Sequence, residues 1–168
     1  AYEALSRNVD AAEALLEGIL VAARAPSADS ASLRVRLERA KALLGDSRAH
    51  QSLLHLAGGR ISMIAGEEGA ARAEIDLAID SARHNDQKEW IWRGLEARSD
   101  LELRLGRRLR ARRDREEALG VLEEIGAELP RDLREVYWND ARRGALRAMV
   151  STQTVMTQGI DAGPLQPG

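Results

Sequence analysis

Apolar residues return every three or four positions along almost the whole chain. Leu5, Val9, Ala12, Leu16 and Ile19 make one stripe, Leu33, Leu37, Ala40 and Leu44 a second, and Leu53, Ala57, Ile61 and Ile64 a third. Ala71, Ile75, Ala78 and Ala82 continue the pattern, followed by Trp90, Gly94, Ala97, Leu101 and Leu105, then Ala118, Leu122, Ile125 and Leu129. Such steps gather side chains on one face of a helix, and no stretch alternates apolar and polar residues as a half-buried strand does. The predicted class is all-α, with six principal helices.

The breakers between the stripes are regularly placed. Pro26, Gly66 and Gly106 lie forty residues apart, and so do the turn pairs Gly45-Asp46 and Asn85-Asp86. A shift of forty superposes Val21, Ile61 and Leu101, then Ala25, Ala65 and Leu105, then Ala31, Ala71 and Ala111, and sets Val35 on Ile75. This predicts three helical hairpins, at 4–45, 46–85 and 86–129, stacked as a right-handed superhelix, because a helical pair that cannot bury both faces alone stacks on its neighbours. An ordinary six-helix bundle with coincidental spacing is the competing architecture. Pro130 suits the first position of a helix, whose N–H has no intrahelical partner. A short helix at 131–138 and another at 141–150, capped by Asn139 or Asp140, would close the open end with Leu133, Val136, Tyr137, Leu146 and Met149 facing inward. Residues 151–168 carry three Gly and two Pro without periodicity and read as a flexible tail or linker.

Gly59, Gly66, Ala71 and Ala78, in GRISMIAGEEGAARAEIDLAI, fall where tetratricopeptide repeats place their small residues, and Gly106, Ala111 and Ala118 repeat three of the four. The chain resembles a degenerate tetratricopeptide-like array. It departs from that family in its period of forty rather than about thirty-four, in the aromatic pattern of its first helices, and in hairpin one; forty also suits HEAT-like pairs. The closing stretch ELPRDLREVYWNDARRGALRA, residues 128–148, resembles the end of long repeat arrays in large bacterial signalling proteins. That resemblance implies a regulatory setting beside other domains and carries no activity with it.

Composition narrows the class further. The chain of 168 residues has a net charge of -2 and 44% hydrophobic residues, and its longest apolar stretch, Ile19 to Ala23, is far short of a membrane helix. There is no cysteine, and the N-terminus lacks signal-peptide order, so the expected setting is cytoplasmic. The chain opens without methionine inside a helical pattern, which reads as a piece of something longer. Of its 25 basic residues 23 are arginine, as a GC-rich coding sequence gives, so dense arginine alone is weak evidence for nucleic-acid binding. With no Phe, the helices must pack closely over small aliphatics.

Chemistry is sparse. His50, His55 and His84 stand in no metal-ligand spacing, and the common phosphate-cradle and nucleophile motifs are absent. Glu67-Glu68, Glu116-Glu117 and Glu123-Glu124 sit side by side on helices, where neighbours point apart instead of converging as catalytic carboxylates must. No cofactor, metal or enzymatic activity is expected. Gly58-Gly59 reads as a point of close helix approach, and of Trp90 and Trp92, about 200° apart around a helix, at most one should be comfortably buried.

The array geometry offers a groove. In the tetratricopeptide-like register its inward positions are Glu13, Leu16, Leu20 and Ala23, then Leu53, Leu56, Arg60 and Met63, then Arg93, Glu96, Asp100 and Leu103. A peptide could set apolar anchors against Leu53, Leu56 and Met63 while Arg60, Arg93, Glu96 and Asp100 fix its orientation. The same leucines fit an ordinary inter-helix core equally.

The segment GRRLRARRDREE holds six arginines in nine positions: Arg107, Arg108, Arg110, Arg112, Arg113 and Arg115. At the forty-residue shift Leu33 and Ala73 become Arg113, Val35 and Ile75 become Arg115, and Leu37 and Leu77 become Glu117, as if a buried edge were lost. One reading starts the packed helix at Asp114, capped with Glu117 as the returning partner, and leaves 107–113 as an exposed turn. The other is a continuous helix with Arg108, Arg112 and Arg115 on one face, able to meet phosphates or an acidic partner. The near-neutral whole, the lack of interleaved aromatics and the adjacent acids argue against nucleic acid. The expected function is a non-enzymatic protein–protein interaction module of a bacterial signalling or regulatory protein, binding a protein or peptide partner or a neighbouring domain. A nucleic-acid-associated regulator using Arg107–Arg115 is the alternative.

Overall fold

A computed structural model describes residues 2–45 and 47–160, with side chains described for 6–45 and 47–151. Eight α-helices follow one another: α1 (Tyr2–Ala22), α2 (Ser30–Leu44), α3 (Gln51–Ile64), α4 (Glu68–His84), α5 (Lys88–Arg104), α6 (Arg108–Glu128), α7 (Arg131–Trp138) and α8 (Ala141–Ile160), with a 3₁₀ turn at Arg48–His50 leading into α3. The class is all-α, with no strand among the described residues. Asp46, the Leu5 side chain and residues 161–168 lie outside them. The last helix continues ten residues past Val150, across the first part of the segment read as a tail.

Turn chemistry sets the helix boundaries. Asp29 caps α2 by accepting from the N–H groups of Ala31 and Ser32 at 3.2 and 3.0 Å. Gly45 ends α2 at φ 54° and ψ -132°, and the three reversals after it share one geometry. Gly66, Asp86 and Gly106 adopt positive φ of 74°, 52° and 71°. The following N–H donates back across the helix end each time: Glu67 to Ser62, Gln87 to Ala82 and Arg107 to Glu102, at 2.9, 2.8 and 2.8 Å. This left-handed ending satisfies carbonyls that a helix terminus otherwise leaves bare. Glycine adopts it freely, and Asp86 is the one non-glycine residue among those described that does so. The loop around Pro26 has no such turn.

Each helix from α1 to α6 packs on its chain neighbours, and α1 also touches α3, as α3 touches α5. The buried positions follow the expected stripes: Ala12, Leu16 and Ile19 on α1, Leu33, Leu37, Ala40 and Leu44 on α2, Leu53, Ala57 and Ile61 on α3, and Ala71, Ile75, Ala78 and Ala82 on α4. Their register is less uniform than the superposition predicts. At the forty-residue offset Ala71, Ala78 and Ala82 match Ala111, Ala118 and Leu122, all buried. Ala31 and Val35 are exposed instead, because α2 buries a stripe two residues further along. Val21 is exposed where Ile61 and Leu101 are buried. The long Pro26 loop frees hairpin one from the spacing that the short turns at Gly66 and Gly106 impose on the other two.

Gly59 allows α3 and α4 to meet closely: a Cβ there would stand 2.6 Å from Ile75 Cγ1 and 3.3 Å from the Ala71 carbonyl oxygen. Gly94 does the same for α5 against Ile79. Overpacking of this kind costs about 1–3 kcal/mol, while alanine recovers about 0.5–1 kcal/mol of helix propensity. Gly59→Ala should therefore lower stability in urea by about 1 kcal/mol, whereas the solvent-facing Gly69→Ala should raise it.

Helices α7 and α8 pack on α6 and on each other. Tyr137 and Leu146 are buried as expected, but Leu133, Val136 and Met149 are exposed. The inward face of α7 is instead set by Arg134, Tyr137 and Trp138. Arg134 donates to the free carbonyls of Ala127 and Leu129 at the end of α6, the Tyr137 hydroxyl donates to the Leu122 carbonyl, and Trp138 lies against Gly126. Asp140, rather than Asn139, caps α8 through the N–H groups of Arg142 and Arg143, which hold its carboxyl below the ordinary range.

Candidate functional site

Where α1, α3 and α5 face one another, charged side chains converge. Arg93 forms a two-pronged bond to Glu17, with both contacts at 2.8 Å. Arg60 reaches Asp100 at 2.6 Å and Glu96 at 3.6 Å. Glu96 also takes Arg24 at 3.0 Å and Arg142 of α8 at 2.6 Å. The expected charged set Arg60, Arg93, Glu96 and Asp100 is thus brought together, and Glu17, Arg24 and Arg142 join it. Arg24 and Arg142 carried no signal in the repeat register, because one lies past the end of α1 and the other on a terminal helix.

These pairs change what the groove can do. Glu17 and Arg93 are 76 residues apart, and Arg24 and Glu96 are 72 apart, so α1 and α5 are tied together across α3. Beneath them Leu53, Leu56 and Met63 are buried in the core, as are Leu16 and Leu20. Of the expected apolar anchors, Leu56 lines the space between these pairs, and Leu53 and Met63 belong to the core. A guanidinium fork can satisfy a carboxylate in one plane, and that geometry closes the gap between the outer helices. Arg93 holds the Glu17 carboxyl below its ordinary range. The Arg24 guanidinium is likewise easier to deprotonate than usual, because burial, helped by Arg142, Arg60 and Arg93 nearby, outweighs the opposing pull of Glu96. The cluster carries a net positive field despite its ion pairs.

The tryptophans divide as their angular separation predicts. Trp92 is 1% exposed, donates to Glu89 at 2.8 Å, and has the Arg142 guanidinium 4.9 Å from its ring centroid. Trp90 is half-buried beneath Arg93.

The arginine run is a continuous helix. α6 begins at Arg108, with Arg107 at its cap position and no side-chain bond capping it. Asp114 does not restart the helix: it is buried and accepts from Arg98 at 2.7 Å, while Arg98 also reaches Asp76 at 3.0 Å. Both carboxylates make the Arg98 proton harder to remove. Glu117 accepts from Arg83 of α4 instead of returning to a cap. Nor is a whole buried edge lost, because Ala73 and Leu77, the counterparts of Arg113 and Glu117, are themselves exposed.

Within the run the arginines separate into two groups. Arg107 lies 3.7 Å from Glu102, and Arg112 bonds Glu116 at 2.7 Å. Arg108, Arg110, Arg113 and Arg115 make no salt bridge with any described residue; Asp114, Glu116, Glu117 and Glu102 are already taken by Arg98, Arg112, Arg83 and Arg72. Leu109 is exposed among them.

Two of the three histidines sit in ordinary hydrogen bonds, His50 between Ser47 and Glu13 and His55 against Glu74, each contact 2.8 Å long, and His84 is exposed. No group of metal-ligating side chains forms among the described residues, and no helix of these residues is long and apolar enough to cross a membrane. Comparison with known protein families, curated proteins and solved structures finds no match to the chain.

Proposed function

We propose that the chain is a non-enzymatic interaction module of α-solenoid type, tetratricopeptide-like, within a larger bacterial signalling or regulatory protein, and that it docks an acidic partner protein on α6. The observation that carries this reading is the set of four arginines, Arg108, Arg110, Arg113 and Arg115, left without a carboxylate while every acid beside them is engaged elsewhere. Fixed charges of one sign on a rigid helix speed encounter and select a partner of the opposite sign. The contacts of α1 with α3 and α3 with α5, and the matched turns at Gly66 and Gly106, support the stacked arrangement. The closed α1–α3–α5 face moves the docking surface from the groove to the outside.

Selection of random peptides on the immobilised chain should enrich Asp- and Glu-rich sequences. Their binding should fall by tenfold or more, roughly one lost charge-assisted contact, in Arg110→Glu/Arg113→Glu. Neutral winners, or acidic ones indifferent to that variant, would remove the basis of the reading. The same unpaired arginines favour nucleic acid as a second reading. A DNA duplex titrated at ~50 and ~200 mM salt separates the two, since four phosphate contacts give a salt slope of about -3.6. Absence of binding at the lower salt eliminates it.

A further inference from the structure

Between α1, α3, α5 and α8 lies a small cavity of about 110 Å³ lined by Arg24, Arg60, Arg93, Arg142 and Glu17 over an apolar side of Leu20, Val21 and Leu56. Beside it, sharing Arg24 and Arg60, is a wider hollow of about 440 Å³ that adds Pro26, Asp100 and Arg104. We infer that the small cavity is a binding site for the phosphate group of a phosphate or phosphate monoester, with the organic part of an ester lying in the wider hollow.

Charge, geometry and unmet bonding point the same way. Four arginines stand around the small cavity against the three carboxylates Glu17, Glu96 and Asp100, which leaves one positive charge uncompensated, and Arg104 at the wider hollow, bonded to the Met63 carbonyl, adds a second. A phosphate monoester carries about -1.5 to -2 at neutral pH and offers three acceptor oxygens. The guanidiniums approach from three helices and from the loop after α1, which suits a tetrahedral acceptor better than a planar carboxylate. Arg93 is only 7% exposed, and its Nε and that of Arg142 are buried without a hydrogen-bond partner. Buried donors are rarely left so without a reason. Arg24 is easier to deprotonate than usual, first because of burial and then because Arg142, Arg60 and Arg93 stand near it, against the pull of Glu96. An anion among these groups would relieve their mutual repulsion.

Isothermal titration of inorganic phosphate into the full chain, at constant ionic strength set with chloride, tests the site. One-site saturation is expected, with Arg24→Gln weakening it about tenfold for the loss of one charged donor. Arg24 is partly exposed, so that variant should keep its fold, which circular dichroism checks. Glycerol 3-phosphate and phosphoserine identify the source: tighter binding of either shows that the wider hollow takes the organic part, and affinity equal to that of phosphate assigns the free ion. No saturation above the chloride baseline, unchanged affinity in Arg24→Gln, or equal binding of succinate would overturn the inference. The site is separate from the α6 arginines, so Arg110→Glu/Arg113→Glu should leave phosphate binding intact whether or not the acidic-partner reading survives.

Discussion

Asp114→Ala should destabilise the protein by about 3 kcal/mol, the scale for removing one partner of a buried ion pair, and lower Tm by about 9 °C for a chain of this size. The reason is the company Asp114 keeps. It is 7% exposed and holds Nε and Nη2 of Arg98 through both carboxylate oxygens, and Asp76 takes the one guanidinium nitrogen that is left. Truncation leaves a cation in a site shaped for a pair. Replacing both members, Arg98→Met with Asp114→Leu, should recover most of the loss, because the cost lies in a cation left half-paired with Asp76 more than in the missing bond. Urea unfolding of the single and double variants measures this. A loss near 1 kcal/mol in Asp114→Ala, with no recovery in the double variant, would be the behaviour of a helix cap and would count against the buried pair.

Trp92→Ala should cost about 3–5 kcal/mol, as large aromatic truncations in cores do. Trp92 is the largest fully buried side chain among the described residues and sits in α5, which packs against α3, α4 and α6. Its effect should also reach the C-terminal helix, because Arg142 stacks on its ring while pairing with Glu96. Hydrogen exchange should show α8 losing protection in Trp92→Ala beyond the global change. Trp92→Phe, which keeps a ring for Arg142 but drops the bond to Glu89, should lose less. Equal protection of α8 in all three proteins would mean that the stacking contact does not hold the helix.

The helices and most of their buried faces were legible in the sequence because spacing alone places Leu33, Leu37, Ala40 and Leu44, or Ala71, Ile75, Ala78 and Ala82, on one side of a cylinder. The turns were legible for a similar reason: glycine at forty-residue intervals marks where φ must become positive. Three things were hidden. Asp114 looks like a cap because aspartate with a glutamate three residues on is a local signature, whereas its partner Arg98 is supplied by another helix. The inner face of α7 depends on Arg134 finding the bare carbonyls of α6, which hydrophobicity does not encode. The partner of Arg93 was hidden because Glu17 is an ordinary surface residue until the packing of α1, α3 and α5 brings the two together. Arg60–Asp100 and Lys88–Glu128 do span one forty-residue period, but Glu17–Arg93 and Arg24–Glu96 do not.

The matched turns at Gly66 and Gly106 carry a consequence for how such a chain can change length. The residues that follow them, Glu67 and Arg107, enter their helices at nearly the same backbone angles, with φ and ψ of -88° and 69° against -90° and 64°. A copy of residues 67–106 spliced after Gly106 would begin where the original leaves off, with no new junction to invent. Lengthening by recombination is therefore cheap in whole blocks of this size, while a single inserted residue inside α4 would turn every later side chain of that helix by about 100°.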